Sequence, residues 1–245
     1  MQTGEPYLVF TDTANRVLPS WLKAQGLKIN GSNLCTEIFL PTNADRTAVC
    51  CLSSVNLEHF DEWKDDPNFI NDAMEFLDNV LQYFIDHAPE TIVRARRSAE
   101  RERSVGLGAM GLHAYFHKQI FAHIQKCCAA ADARLCKLRG ACPDAKAAGV
   151  ERRFSHWNAV APNASSSLIC GNTSPSIEPR RANVYRQDTI SGAHIVKNRY
   201  LVEELERLHM NTDEVWADII AHDGSVQHIE AIPRTTRDVF KTAQE

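Results

Sequence analysis

Past Pro67 the apolar residues Phe69, Ile70, Ala73, Met74, Leu77, Val80, Leu81, Phe84 and Ile85 recur at intervals of three and four, the period of one face of an α-helix. Asp66 is placed to cap that helix, with Pro67 at its first position, where a missing N–H costs nothing. Just upstream, residues 47–55 are small and β-branched and predict a strand. A strand that feeds a long amphipathic helix predicts an α/β fold, without naming the architecture.

Ile120, Ile124, Cys127 or Cys128, Ala131, Leu135 and Leu138 form a second helical stripe, stopped near Gly140 and Pro143. Short strands are expected at Tyr7-Leu8-Val9-Phe10, at 157–160 and at 182–185. A loop through Asn15, Pro19, Gly26, Asn30 and Gly31 separates the first of these from Ser32. A helix is expected over 200–208, and Asn211 to Glu214 reads as a capping box for a helix holding Val215, Trp216, Ile219 and Ile220. No period of repeat-protein length is present.

The 245 residues are 44% hydrophobic and 24% charged, enough for a packed core in one large or two ordinary domains. A net charge of -4 with dispersed basic residues gives no broad nucleic-acid surface. The run from Arg94 to Arg103, interleaved with Glu100 and Glu102, predicts an exposed helix that compensates its own charge. No apolar run reaches membrane-spanning length, so a soluble, cytoplasmic chain is expected. The eight cysteines include two adjacent pairs, Cys50-Cys51 and Cys127-Cys128, and none spaced for zinc. Free thiols are therefore expected and no metal ligands are assigned; Cys127, Cys128 and Cys136 read as core or helix-face residues.

Gly106, Gly108 and Gly111 match the nominal dinucleotide fingerprint, which has meaning only when a strand leads into it. The preceding Arg96 to Ser104 is a poor buried strand. The alternative is a helix or helix start whose glycines allow close backbone packing.

Two segments suggest chemistry. In an extended segment Asn33, Cys35 and Glu37 would share one face, putting an amide, a thiol and a carboxylate toward one pocket; an extended polar edge gives the same pattern. Pro162-Asn163-Ala164-Ser165-Ser166-Ser167 can present hydroxyls and N–H groups to an anion at a helix start; a plain serine-rich turn fits equally. Gly171, Asn172, Pro175 and Pro179 then predict an irregular, closely packed wall.

Ser32-Asn33-Leu34-Cys35-Thr36-Glu37-Ile38, Ala48-Val49-Cys50-Cys51-Leu52-Ser53-Ser54-Val55-Asn56-Leu57, Ala161 to Ser167, and Asn172-Thr173-Ser174-Pro175-Ser176-Ile177-Glu178-Pro179 occur in that order. Together with Gly106 to Tyr115 and Arg181 to Thr189, this arrangement resembles the large (alpha) subunit of class I ribonucleotide reductases over nearly the whole chain. The resemblance implies part of a ten-stranded α/β barrel of the ribonucleotide reductase and glycyl radical type, with residues 1–245 as one partial barrel domain. It implies reduction of ribonucleoside diphosphates by thiyl-radical chemistry. Cys35 would be the radical thiol, at the tip of a loop; Glu37 would accept the 3'-hydroxyl proton and Asn33 position the ribose hydroxyls. Cys50, which follows Ala48-Val49 and stands one residue before Leu52-Ser53, would be a redox thiol, and Cys51 a core thiol. Substrate would be held by residues 32–37 (Ser32, Asn33, Leu34, Cys35, Thr36, Glu37) and, at its phosphates, by Pro162, Asn163, Ala164, Ser165 and Ser166, with Ser167 capping or packing nearby.

The family places Gly106 to Gly111 in a helical region. It also implies a radical-generating, metal-containing small (beta) subunit, a large-subunit homodimer, and thioredoxin or glutaredoxin as external reductant, with no cofactor bound directly. The chain would begin inside the barrel, without the ATP cone, the specificity site, the upstream redox cysteine or the first half of the barrel. It would end before the radical-relay tyrosines and the C-terminal cysteines, and residues 115–120 would be shorter than usual. Three readings follow: a piece that works once the remaining segments are supplied, including as split chains; a nonfunctional truncated relic; or an unrelated soluble nucleotide-binding module.

Overall fold

The computed structural model describes residues 6–116, 118–189 and 192–245. The chain divides into two compact units, residues 1–109 with 116–162, and residues 110–115 with 163–245.

In the first unit, α1 (Thr11–Val17) and α2 (Ser20–Lys23) precede β1 (Cys51–Asn56) and α3 (Phe60–Trp63). Then come α4 (Phe69–His87), α5 (Val93–Glu102), β2 (Val105–Met110, ending where the second unit begins), α6 (Ile120–Arg139) and α7 (Pro143–Ala147). α4 and α6 are the helices expected from their apolar period, and they pack on each other through faces that include Met74, Leu77, Leu81, Ile120, Ile124 and Leu135, all buried. β1 pairs with β2. On β2, Leu107 forms a parallel bridge to Asn158, with Leu107 N–H donating to Trp157 O at 2.8 Å. A parallel neighbour requires a crossover connection, and α6 and α7 supply it.

Several expectations need correction. Residues 7–10 form no strand; Tyr7, Leu8 and Phe10 are more than half exposed and so lack the buried face that would hold them extended. The expected loop after them contains α1 and α2, which bury Leu18 and Leu22 with Leu27 and Ile29. The 106–110 stretch is a fully buried strand, not a helix. Close packing does explain its glycines: a Cβ on Gly108 would run into the carbonyl oxygen of Ala159, and one on Gly106 would sit 2.7 Å from Ala159 Cβ. Gly108→Ala is therefore expected to destabilise the first unit by about 1–3 kcal/mol, read as a lower denaturant midpoint. An unchanged midpoint would show that the strands have slack.

The α4 cap also moves. Asn68 precedes the helix, and Asp66 instead accepts the Asn68 N–H at 2.8 Å, forming a local turn of the kind Asp favours.

The arginine run is a surface helix only in part, and its charges are not balanced within the helix. Arg94, Arg97 and Glu100 are exposed as expected, but Glu102 and Arg103 are buried, and Arg101 and Arg103 pair inward with other elements. Asp78 of α4, fully buried, bonds Arg103 at 2.6 Å, Arg139 at 2.7 Å and Arg153 at 3.0 Å. Asp144 of α7 takes both Arg46, in a bidentate pair, and Arg101. Asp132 of α6 accepts the backbone N–H groups of Arg153 and Phe154. Burial pushes the Glu102 carboxyl up to about 7, against the pull of the Ser98 hydrogen bond and of Arg46.

In the second unit, α8 (Ser166–Ile169), β3 (Val184–Thr189), β4 (Gly192–Lys197), α9 (Arg199–Arg207), α10 (Asp213–Ala221) and α11 (Arg234–Val239) follow in order. β3 and β4 form an antiparallel hairpin in which Val184 faces Lys197 and Thr189 faces Gly192, longer than the strand expected at 182–185. Val184, Leu201, Leu205, Trp216, Ile219 and Val226 belong to the unit's core. Asn183 fastens the core's polar seam, donating to the carbonyls of Gly224 at 3.0 Å and Phe240 at 2.7 Å. The α10 cap is Thr212, not Asn211; Asn211 instead accepts the indole N–H of Trp216 at 2.6 Å, satisfying a donor that burial would otherwise strand. Among the described residues the strands form two separate two-stranded sheets, an α/β arrangement in which no closed barrel is present. Among the described residues no helix is long and apolar enough to cross a membrane.

Candidate active site

Residues 33–36 make a turn, closed by the Thr36 N–H donating to Asn33 O at 3.2 Å, with Thr36 at φ 65°. The extended alternation expected for Asn33, Cys35 and Glu37 is therefore absent. The Asn33 side chain is spent within the loop: its Oδ1 accepts the Ile38 N–H at 3.1 Å, while Ser32 Oγ donates to Asn33 O at 3.1 Å. Local hydrogen bonding of this kind is how Asn and Ser favour turns over strands. Leu34 and Cys35 are exposed at the tip.

Two cavities flank the base of this loop in the first unit. One, of about 490 Å³, is lined by Ser32, Asn33, Ile38, Thr47 and Cys50 among others. The smaller, about 140 Å³, is lined by Glu37, Cys50, Ser104, His156 and Asn158 among others. Cys50 belongs to both linings and Cys35 to neither. Glu37 keeps Oε2 buried and without a hydrogen-bond partner among the described residues, an acceptor left open at the wall of the smaller cavity.

Burial pushes the Cys50 thiol up to about 12, with Cys51 adding to the effect and Ser104 pulling back. Such a thiol stays protonated at neutral pH. Burial, then the Arg152 charge, push His156 down to about 4, so it faces the Glu37 cavity as a neutral ring. Ser104 and His156 were not anticipated; neither stands in a motif, and only the pairing of β2 with residues 156–159 brings them to this cavity. Gly106 has a related role, since a Cβ there would also press on Cys50 Sγ at 3.3 Å. Cys51 is half-buried rather than fully in the core, while Cys128 is buried and Cys127 and Cys136 lie on the face of α6.

In the second unit, Ser165 precedes the single turn of α8. Ala164, Ser165 and Ser166 are exposed, as is Pro162 just upstream, whereas Asn163 and Ser167 are buried. Asn163 O accepts the Ser167 N–H at 2.9 Å and Ala164 O the Ser167 hydroxyl at 3.4 Å. The following stretch is irregular, with Thr173, Ser174 and Ser176 buried and Arg180 bonded to both oxygens of Asn172.

A thiol and a carboxylate gather around strand-borne cavities in the first unit of an α/β chain. The family model for the ribonucleotide reductase barrel domain matches residues 1–138 and 142–245, and the chain belongs to that family. It is 48% identical to the ribonucleoside-diphosphate reductase large subunit of Invertebrate iridescent virus 3, over all of this chain and 41% of that protein. The putative large subunit of Frog virus 3 (isolate Goorha) is 49% identical, again over all of this chain and 46% of the relative. The alpha subunit of the Actinobacillus ureae class Id ribonucleotide reductase superposes with a TM-score of 0.88 at 38% identity, over 98% of this chain and 47% of that one. The chain thus spans less than half the length of these relatives.

Proposed function

We propose that the chain contributes the radical-bearing part of a ten-stranded barrel that reduces ribonucleoside diphosphates to deoxyribonucleoside diphosphates. The carrying observation is the Cys35 turn above cavities that hold Glu37 and Cys50. A thiyl radical on Cys35 takes the 3'-hydrogen of the sugar, re-forming the thiol and leaving the radical on carbon. Glu37, through its open oxygen, accepts the 3'-hydroxyl proton. The 2'-hydroxyl then takes a proton and departs as water.

Cys50, held as a thiol, and a second cysteine of the complete subunit each supply one proton and one electron and end joined in a disulfide, while Cys35 returns its hydrogen to the 3'-carbon and regains the thiyl radical. Asn33 and Ser32 orient the ribose from the larger cavity, with Leu34 and Thr36 shaping the loop. Pro162, Asn163, Ala164, Ser165 and Ser166 receive the diphosphate. The radical is delivered by a metal-containing small subunit, the disulfide is reduced by thioredoxin or glutaredoxin, and the complete large subunit pairs as a homodimer.

The test is a chimera in which this chain replaces the matching stretch of the Invertebrate iridescent virus 3 large subunit, assayed for reduction of cytidine diphosphate with a small subunit and reductant. Turnover supports the proposal; none from a correctly assembled chimera rejects it in favour of an inactive relic. In the same chimera Ser166→Ala is expected to weaken nucleoside diphosphate binding about tenfold, the scale of one hydrogen bond to a charged group, with a smaller effect on kcat. Unchanged binding would remove Ser166 from the phosphate site.

A further inference from the structure

Three metal-ligand side chains meet at the carboxyl-terminal end of α10, apart from every residue in the proposed reaction. Asp218 and His222 are four residues apart and so share one helix face. His228 reaches the same place because the chain turns back at Asp223 (φ 55°) and Gly224 (φ 82°). That turn is held by the Gly224 N–H donating to Ile219 O and the Ser225 N–H to His222 O, both at 2.9 Å. It is anchored by Val226, fully buried in the unit's core.

Asp218 Oδ1 lies 3.2 Å from His222 Nδ1, and Asp218 Oδ2 lies 2.9 Å from His228 Nε2. The two imidazoles stack with centroids 3.6 Å apart and planes at 22°. One ligand atom from each of the three residues falls within 4.8 Å of the others. Around a tetrahedral zinc ion with bonds of about 2.0–2.1 Å, neighbouring ligand atoms sit about 3.3 Å apart. The two carboxylate–imidazole separations, on different oxygens of Asp218, differ from that by a few tenths of an ångström, and side-chain rotation closes the three-atom set from within 4.8 Å.

Both stacked rings present a nitrogen to Asp218, and the neutral form of each is the one that ligates a metal. His222 Nδ1 also lies 2.9 Å from the carbonyl oxygen of Asp218. A metal at Nδ1 therefore requires the tautomer that carries its proton on Nε2. The carbonyl end of a helix, with its partial negative charge, suits a cation there.

We propose that Asp218, His222 and His228 form a binding site for a divalent transition ion of the zinc class. Two imidazoles with one carboxylate select such an ion over magnesium or calcium, which prefer oxygen alone. Three protein ligands leave a fourth position for water or for a group from another molecule. Because the side chains are 48%, 50% and 29% exposed, the ion exchanges with solvent and binds less tightly than in a closed structural site.

The test is titration of the reduced chain with zinc and with cobalt(II), beside the His222→Ala/His228→Ala variant and each single variant. The surface position of both rings lets the variants keep the fold, which circular dichroism verifies. The expected result is one equivalent of zinc bound by the parent, at least tenfold weaker in each single variant and lost in the double. The cobalt spectrum is expected to show nitrogen and oxygen ligation without a thiolate charge-transfer band. Equal zinc binding by parent and double variant, no binding by the parent, or a thiolate band would each overturn the site and leave Asp218 a plain hydrogen-bond acceptor. The readout is binding, so its outcome is independent of whether the radical reading holds.

Discussion

Replacing Cys35 with serine in the chimeric large subunit is expected to reduce deoxyribonucleotide formation to background, while substrate still binds. A serine O–H bond is much stronger than a thiol S–H bond, so the incoming radical cannot be passed to that position, and the first hydrogen abstraction has no agent at the loop tip. Glu37 and the cavity lining remain in place, because Cys35 is exposed and supports no packing. The matched control is Cys51→Ser, at a half-buried neighbour of Cys50, which should leave turnover within a few-fold of the parent. Radiolabelled product separates the outcomes. Turnover retained by Cys35→Ser, or lost equally in both variants, would withdraw Cys35 from the chemistry.

The largest expected effect on stability comes from Asp78→Ala. Asp78 is wholly buried among Arg103, Arg139 and Arg153. Removing it leaves buried guanidinium charge without its counter-ion, a change that costs about 3–5 kcal/mol. Burial by itself would raise the Asp78 pKa, but the Arg153 hydrogen bond and the Arg103 charge outweigh it and the pKa is lowered.

A carboxylate lowered on folding contributes stability that is present above its unfolded pKa and is lost as pH falls through the folded value. The parent should therefore show a steeper acid-side decline than Asp78→Ala or the near-isosteric Asp78→Asn. Denaturant unfolding at neutral pH and in acid reads this directly. A midpoint for Asp78→Ala close to the parent's would mean that the arginines find other partners and the network is dispensable.

How much was legible in advance follows from the range of the forces involved. The stripes of α4 and α6 are written at intervals of three and four, and both helices form where expected. Residues 106–110 were misjudged because alanine and glycine carry no period, and the reason for the strand lies more than fifty residues away at Ala159. The arginine run was read as solvated because its partners, Asp78 and Asp144, are remote in sequence. β4 was missed because its sequence, Gly192-Ala193-His194-Ile195-Val196-Lys197, is an edge with little buried surface, and its pairing comes from β3.

At the candidate site the motif order carried the residue choice. The geometric argument beside it, alternation along an extended segment, does not survive, since Asn33 turns its amide onto the Ile38 N–H. His156 left no local signal at all. The cluster at Asp218, His222 and His228 escaped a search built on cysteine spacing, and its third member comes into register only through the turn at Gly224.

The order in which Asp78 meets its partners has a consequence for biosynthesis. Its three arginines all come later in the chain, the last at 153, so a nascent polypeptide carries the acid long before it can be neutralised. The helical layer around it cannot lock while the ribosome still holds residues 139–153. Until then the apolar faces that this layer will cover stay open to solvent, the state in which partly made chains aggregate.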